Sequence, residues 1–116
     1  MTHIEASTLY GTLNLLILRT LGGGPLHGLE VRRRIVEVSR DVLQVEEGAL
    51  YPALHRLERD GLLRSKWGLS ERGKRAKFYA LTADGRARLA RESKSWRSHV
   101  EAVARVLEQE PDASPA

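Results

Sequence analysis

Six basic side chains lie within residues 64–77, with Glu71 as the single acid among them: Arg64, Lys66, Arg72, Lys74, Arg75 and Lys77. The segment therefore carries a charge of +5, and because the whole chain carries +4, the remainder is close to neutral. Lysine and arginine clustered on a near-neutral body are typical of a protein that contacts the phosphate backbone of a nucleic acid. The competing interpretation is a solvated loop, which is what most charge runs are.

The sequence offers little for catalysis or metal binding. It has no cysteine, and its four histidines (His3, His27, His55 and His99) include no pair at the spacing of a helical zinc site. Gly22, Gly23 and Gly24 do not form a phosphate-binding loop, since no strand is predicted before them and no lysine follows in the required position. We therefore predict a protein that is not an enzyme and needs no cofactor.

Size and composition indicate one domain. A chain of 116 residues with 41% hydrophobic and 29% charged residues can build one modest core and is too apolar for general disorder. No apolar run approaches the roughly 20 residues of a membrane span, and the N-terminus has no secretory signal pattern. We therefore expect a cytoplasmic protein that does not contact a membrane.

The elements that must position the cations follow from hydrophobic periodicity. Apolar residues at helical spacing predict helices over residues 8–21, 27–39, 47–60 and 83–107, while two short alternating segments predict strands over 62–67 and 77–81. Gly61 ends the third helix, Thr82 is a candidate N-cap of the last one, and residues 108–116 read as a disordered tail.

Three helices, a basic hairpin and a long helix predict a winged helix-turn-helix, a mainly α fold with a small β-hairpin (α+β). We expect residues 1–82 to form the DNA-binding domain and 83–107 a C-terminal dimerisation helix. In this architecture one helix enters the major groove of the duplex and the hairpin, or wing, touches the backbone or the minor groove.

Apolar residues on the last helix predict a dimer. Leu89, Trp96, Val100, Val103 and Leu107 follow, with Ser93, alternating spacings of four and three, as in a coiled coil. The first helix is apolar on a second side, through Leu15 and Leu18, and we expect a partner chain to cover that side. Trp96 has two interpretations: an anchor of the dimer interface, or a wall of a pocket for a small-molecule effector.

Several segments resemble the PadR-like family of transcriptional regulators. Residues 47–58 (EGALYPALHRLE) resemble its recognition-helix signature, and residues 75–85 (RAKFYALTADG) resemble its second wing strand and the start of its C-terminal helix. Residues 10–18 (YGTLNLLIL) and 25–28 (PLHG) resemble parts of its first two helices. The resemblance covers about residues 8–107. It implies a homodimeric repressor on a palindromic DNA operator, often released by a small molecule.

The residues themselves suggest the same interface. Leu50, Leu54 and Leu57 form one apolar stripe of the third helix, which leaves its other residues free for DNA. We expect DNA contacts from Ala49, Tyr51, Pro52, His55 and Arg56 on this helix, and from Arg72, Lys74, Arg75 and Lys77 on the wing. The alternative for Tyr51 is a half-buried packing role, and for His55 a partly exposed position without function. We expect Trp67, on the first wing strand, to pack against the body of the protein.

Two other function classes remain open. Winged helices also serve as protein–protein assembly modules without specific DNA binding, and the fold alone does not separate the two. The basic wing favours DNA, since an assembly module has no evident need for a +5 hairpin. Double-stranded RNA is a weaker alternative, because its major groove is too narrow for a recognition helix.

Overall fold

The computed structural model describes residues 6–110, with side chains from residue 12 onward. The described residues form four helices and a small antiparallel sheet, as the sequence predicts for a winged helix-turn-helix. The elements in chain order are α1 (Ala6–Leu21), β1 (Leu26–His27), α2 (Gly28–Val38), α3 (Glu47–Arg59), β2 (Leu63–Leu69), β3 (Arg75–Leu81) and α4 (Ala83–Leu107).

The core lies where α1, α2 and α3 meet the base of the hairpin. Ile17 of α1, Val31 of α2, and Leu50 and Leu54 of α3 have no exposed surface, and Tyr79 of β3 is also buried. The predicted stripe on α3 is confirmed, because Leu57 is buried beside Leu50 and Leu54. One face of the recognition helix is thereby fixed, and the opposite face is left to solvent.

The prediction for Leu18 is wrong. Leu18 is 1% exposed within a single chain, so it cannot meet a partner. The physical reason is that α1 packs against α2, α3 and α4 together, and these helices cover more than one side of it. Leu15 is half-buried, which leaves part of its surface accessible.

The sheet has three strands in the order β1-β3-β2, all antiparallel. The sequence missed β1, because two residues between a Gly-Pro turn and a helix carry no alternation that could reveal a strand. Leu26 and His27 pair with Tyr79 and Phe78, and this pairing joins the start of α2 to the hairpin. His27 also caps α2, where its Nδ1 accepts a hydrogen bond from the amide of Glu30.

Side-chain contacts hold the connection between α2 and α3 in place. Val45 is buried, and the Arg32 guanidinium donates to its carbonyl oxygen at 2.5 Å, so this arginine supports the fold. The chain reverses at Arg40 and Asp41, which both have left-handed backbone (φ 53° and 66°). This reversal of the chain helps to orient α3 relative to α2.

Helix α4 begins at a point of very close approach. The Thr82 hydroxyl accepts from the amide of Gly85, which confirms the predicted N-cap, and it donates to the carbonyl of Gly61. A Cβ on Gly85 would lie 2.1 Å from the carbonyl oxygen of Leu62. Only glycine therefore fits at position 85 while α4 stays docked on the hairpin base.

Beyond its first two turns α4 leaves the body, and the molecule measures 64 × 31 × 21 Å. Leu89 is half-buried against the core, whereas Trp96, Val100 and Val103 are 41–43% exposed and Leu107 is 78% exposed. The tail prediction falls mostly on residues 111–116, which lie outside the described residues. Glu108 caps α4 and the Gln109 amide bonds to the Val106 carbonyl.

Candidate nucleic-acid interface

The wing is a two-stranded hairpin, residues 63–81, with a sharply shaped tip. Leu69 pairs with Arg75, and Ser70 and Lys74 close the loop through an amide-to-carbonyl hydrogen bond of 2.8 Å. Gly73 has a φ of 74°, a conformation that glycine adopts at no steric cost. A loop of this kind holds Arg72 and Lys74 outward at the tip, where both are exposed.

Strand alternation gives the wing two faces. Directly paired residues share a face, so Ser65 and Tyr79, Trp67 and Lys77, and Leu69 and Arg75 all lie on one side. We call this the inner face, because Ser65 and Lys77 contact α3. The outer face of β2 carries Arg64 and Lys66, both exposed.

Helix α3 and the inner face of the wing line one groove. Tyr51 and His55 project into it from α3, and Arg33 from α2. Four wing residues that the sequence predicts as phosphate contacts line the opposite side: Arg72, Lys74, Arg75 and Lys77. The fold thus brings together six of the nine predicted DNA-contact residues.

The other three lie elsewhere on α3. Pro52 and Arg56 are exposed outside the groove lining, and Ala49 is half-buried against the core. Ala49 is therefore a poorer candidate for a DNA contact than the sequence indicates, because its small side chain is already partly covered by the protein. Pro52 lies inside α3 and removes the amide that would bond to the carbonyl of Gly48.

Tyr51 combines both interpretations offered by the sequence. It is 36% exposed at the groove, yet its ring lies against Gly28 at the start of α2. A Cβ on Gly28 would approach Tyr51 Cε1 to 2.7 Å, so the glycine makes room for the ring. Tyr51 is consequently held by packing while part of its surface faces the groove.

Lys77 differs from the other wing cations. Its Nζ lies 3.4 Å from Glu58 Oε1, and Ser65 donates a short hydrogen bond to the second oxygen of the same carboxylate. The Ser65 hydroxyl, and after it Lys77, holds the pKa of Glu58 below its usual range, against the opposing effect of desolvation. Glu58 of α3 thereby joins the recognition helix to both wing strands, a role that the sequence analysis missed.

The remaining inner-face cation has an aromatic neighbour. The Arg75 guanidinium lies 4.5 Å from the centre of the Trp67 ring, a cation–π contact. Trp67 is 58% exposed, so the prediction that it packs against the body is wrong. The cause is its place on the distal half of β2, beyond the reach of the helices. Within the described residues, Arg72, Lys74 and Arg75 form no ion pair.

Known proteins are similar to this chain in both sequence and fold. The model of the transcriptional regulator PadR-like family matches residues 17–91. The chain belongs to the PadR-like family. Its members are transcriptional regulators that bind DNA, and they are not enzymes.

Individual relatives agree with this assignment. The transcriptional regulator Rv3488 of Mycobacterium tuberculosis is 36% identical over 83 residues, which cover 72% of this chain and 74% of that protein. A PadR-like transcriptional regulator from Bacillus cereus has a TM-score of 0.79 at 26% identity, covering 90% of this chain and all of the other. A PadR-like transcription factor from Bacteroides fragilis has a TM-score of 0.70 at 32% identity, covering 87% and 95%.

This PadR-like protein is thus a DNA-binding transcriptional regulator with a winged-helix fold. In the part of the chain that the structure describes, no helix is both long and apolar enough to cross a membrane.

Proposed function

We propose that this PadR-like protein is a homodimeric, sequence-specific repressor whose α3 helices enter the major groove of a palindromic operator. The observation that carries the proposal is the shared groove, in which Tyr51 and His55 face Arg72, Lys74 and Arg75. These three cations form no ion pair with any residue that the structure describes. Helix side chains that can read bases and cations that can bind phosphate are the two components of a specific DNA interface.

The residues divide by role. Arg72, Lys74 and Arg75 bind phosphates and set the register of the protein on the duplex. His55, and Arg56 on the exposed side of α3, reach base edges, while Tyr51 donates its hydroxyl to a phosphate. Arg33 of α2 adds a phosphate contact across the groove, and Pro52, exposed on α3, packs against the duplex.

The dimer is proposed from the exposed apolar row of α4. Trp96, Val100, Val103 and Leu107 extend beyond the body, where the single chain does not cover them fully. Burial of such a row against its copy removes apolar surface from water and follows the spacing of a short coiled coil. Leu89 continues the row toward the core, and we expect the accessible part of Leu15 on α1 to join the same interface. A two-fold dimer would place the recognition helices about 34 Å apart, one turn of duplex.

Repression follows when the dimer occupies an operator that overlaps a promoter. We also propose that a small-molecule effector changes the angle between the two subunits from a site beside Trp96. The support is that Trp96 and His99 stand 5.7 Å apart between ring centres on the exposed part of α4, and aromatic walls favour flat ligands.

The first test is a gel-shift titration of the protein against the DNA upstream of the gene that encodes it. A specific repressor should bind that duplex about a thousandfold or more tightly than a random duplex at physiological salt. Addition of the protein should then lower transcription from the same promoter in vitro. Equal affinity for both duplexes would contradict the proposal and favour a winged helix used for protein assembly.

A further inference from the structure

We propose that Trp67 and Leu69 extend the DNA interface along the inner face of the wing, where they form with Arg75 a surface that we call the wing apron. The apron packs on deoxyribose rings of the DNA backbone. The contacted backbone separates the major groove, which α3 enters, from the minor groove, which the tip of the wing touches. The inference rests on the proposed function and extends it, because the interface described above contains no apolar contact from the wing.

The described residues leave the apolar surface of the apron largely uncovered. Trp67 is 58% and Leu69 is 70% exposed, although residues at the base of the same face, such as Tyr79, are buried. The pairing of Leu69 with Arg75 and of Trp67 with Lys77 places the exposed side chains side by side. Two large apolar side chains on the same face of the wing keep most of their surface in water in the single chain, and contact with a partner would remove that surface from water.

Charge identifies the partner as the backbone of a duplex. Arg75 lies over the Trp67 ring, and Arg72 and Lys74 flank the apron at the tip with no ion pair among the described residues. The sugar–phosphate backbone carries apolar deoxyribose next to anionic phosphate, and the apron places the apolar side chains of β2 next to a cation of β3. Trp67 and Arg75 of the apron line the same groove as Tyr51 and His55, so one duplex can touch all four residues.

Trp67 has a second effect through Arg75. A guanidinium held over an aromatic ring samples fewer orientations than a free one, so less entropy is lost when it binds a phosphate. Trp67 is thus both a contact residue and a positioning residue for Arg75. Its removal should weaken the phosphate contact as well as the apolar one.

Fluorescence can test the contact directly, since the chain has two tryptophans, Trp67 and Trp96. The probe is a random-sequence duplex of about 30 base pairs, roughly three turns, at low salt, because contacts to sugar and phosphate do not need the operator. We expect the duplex to lower acrylamide quenching of the wild type about twofold, as a covered ring loses access to quencher. In Trp67→Phe, where Trp96 alone reports, the duplex should not change the quenching.

Salt-dependent binding tests the positioning role. Trp67→Ala should weaken binding about tenfold, as expected when a large apolar contact is lost. It should also lower the salt slope of a dimer by up to about 2, the value for one phosphate per subunit. Adding Arg75→Gln to Trp67→Ala should lower the slope little further. Lys66→Ala, next to Trp67 on the outer face, is the matched control for the fluorescence test. In this variant the duplex should still protect Trp67 from acrylamide, as in the wild type.

The outcomes separate the inference from the function on which it rests. If the labelled duplex binds, as anisotropy would show, but quenching is the same with and without it, the apron does not touch DNA and the repressor proposal stands. If Trp67→Ala dissociates a complex with another protein while DNA binding is unchanged, the apron is a protein interface. If no duplex binds at any salt, both proposals fail.

Discussion

At the scale of single residues, Glu58 is the side chain that makes the recognition helix and the wing one unit. It accepts from Ser65 of β2 and pairs with Lys77 of β3, so three elements converge on one carboxylate. Its lowered pKa shows that the folded state favours the charged form.

Glu58→Gln should therefore lower stability at neutral pH by about 1 kcal/mol, the typical value of a hydrogen bond to a partly exposed charged group. The sign of the pH dependence follows from the lowered pKa. The stabilisation is complete above the ordinary glutamate pKa of about 4.3 and is lost as the pH falls through the lower folded value. Urea unfolding of both proteins at pH 7 and at about pH 3 measures the difference. If the difference in unfolding free energy between the wild type and Glu58→Gln is the same at both pH values, the charge of the carboxylate does not stabilise the fold.

Gly85 is the second decisive residue. Gly85→Ala should cost about 2 kcal/mol or more, because the new Cβ has to displace the backbone at Leu62. Gly48→Ala is the matched control, since Gly48 also lies in the first turn of a helix but its Cβ would meet nothing within 4 Å. That variant should be neutral or up to about 1 kcal/mol more stable, as alanine favours a helix. Thermal unfolding of the two variants decides the point, and equal effects would contradict the proposed tight approach.

At the scale of elements, the wing contains cations of two kinds. Arg72, Lys74 and Arg75 form no ion pair within the described chain, whereas Lys77 is paired with Glu58. A paired lysine releases fewer counterions when DNA binds, because its charge is already partly neutralised.

Replacing Lys74 and Arg75 by glutamine in both subunits should remove up to four phosphate contacts and lower the salt slope by about 3 to 4. Lys77→Gln is the comparison, and its slope should stay within about 1 of the wild type, since this lysine bonds to the protein. Titrations of labelled duplex at several salt concentrations give the slopes. If the salt slope falls by the same amount per replaced cation in both variants, Lys77 also binds phosphate.

At the scale of the whole molecule, α4 provides the surface for the proposed dimer. Beyond its first turns α4 extends away from the body, and among the described residues Trp96, Val100, Val103 and Leu107 form an exposed apolar row on it.

Trp96→Ala should raise the dimer dissociation constant at least about tenfold, since tryptophan truncated at the centre of an interface commonly costs 2 kcal/mol or more. Folding of the single chain should change little, because Trp96 is already 41% exposed in it. Arg97→Ala, one position along the same exposed stretch, serves as the control. Sedimentation equilibrium gives both constants, and a dimer equally tight in the two variants would remove Trp96 from the interface.

The sequence by itself determined the class of fold and the general function. Hydrophobic periodicity located the four helices and the hairpin, and it gave the limits of α4, Ala83 and Leu107, without error. These features are local, since a helix or strand repeats its pattern within a few turns. The LYPALHRL segment and the wing together also identified the PadR-like family.

The tertiary structure decided which surfaces are free. Periodicity shows that α1 is apolar on two sides, but only the packing of α2, α3 and α4 shows that Leu18 is covered by its own chain. A lysine in a basic segment looks like any other until Glu58, nineteen positions away, is found beside Lys77. Trp67 looks like a core residue until the hairpin extends past the helices. Burial and charge pairing depend on contacts between residues that are distant in the chain. A local sequence pattern describes only residues that are close in the chain, so it does not reveal these contacts.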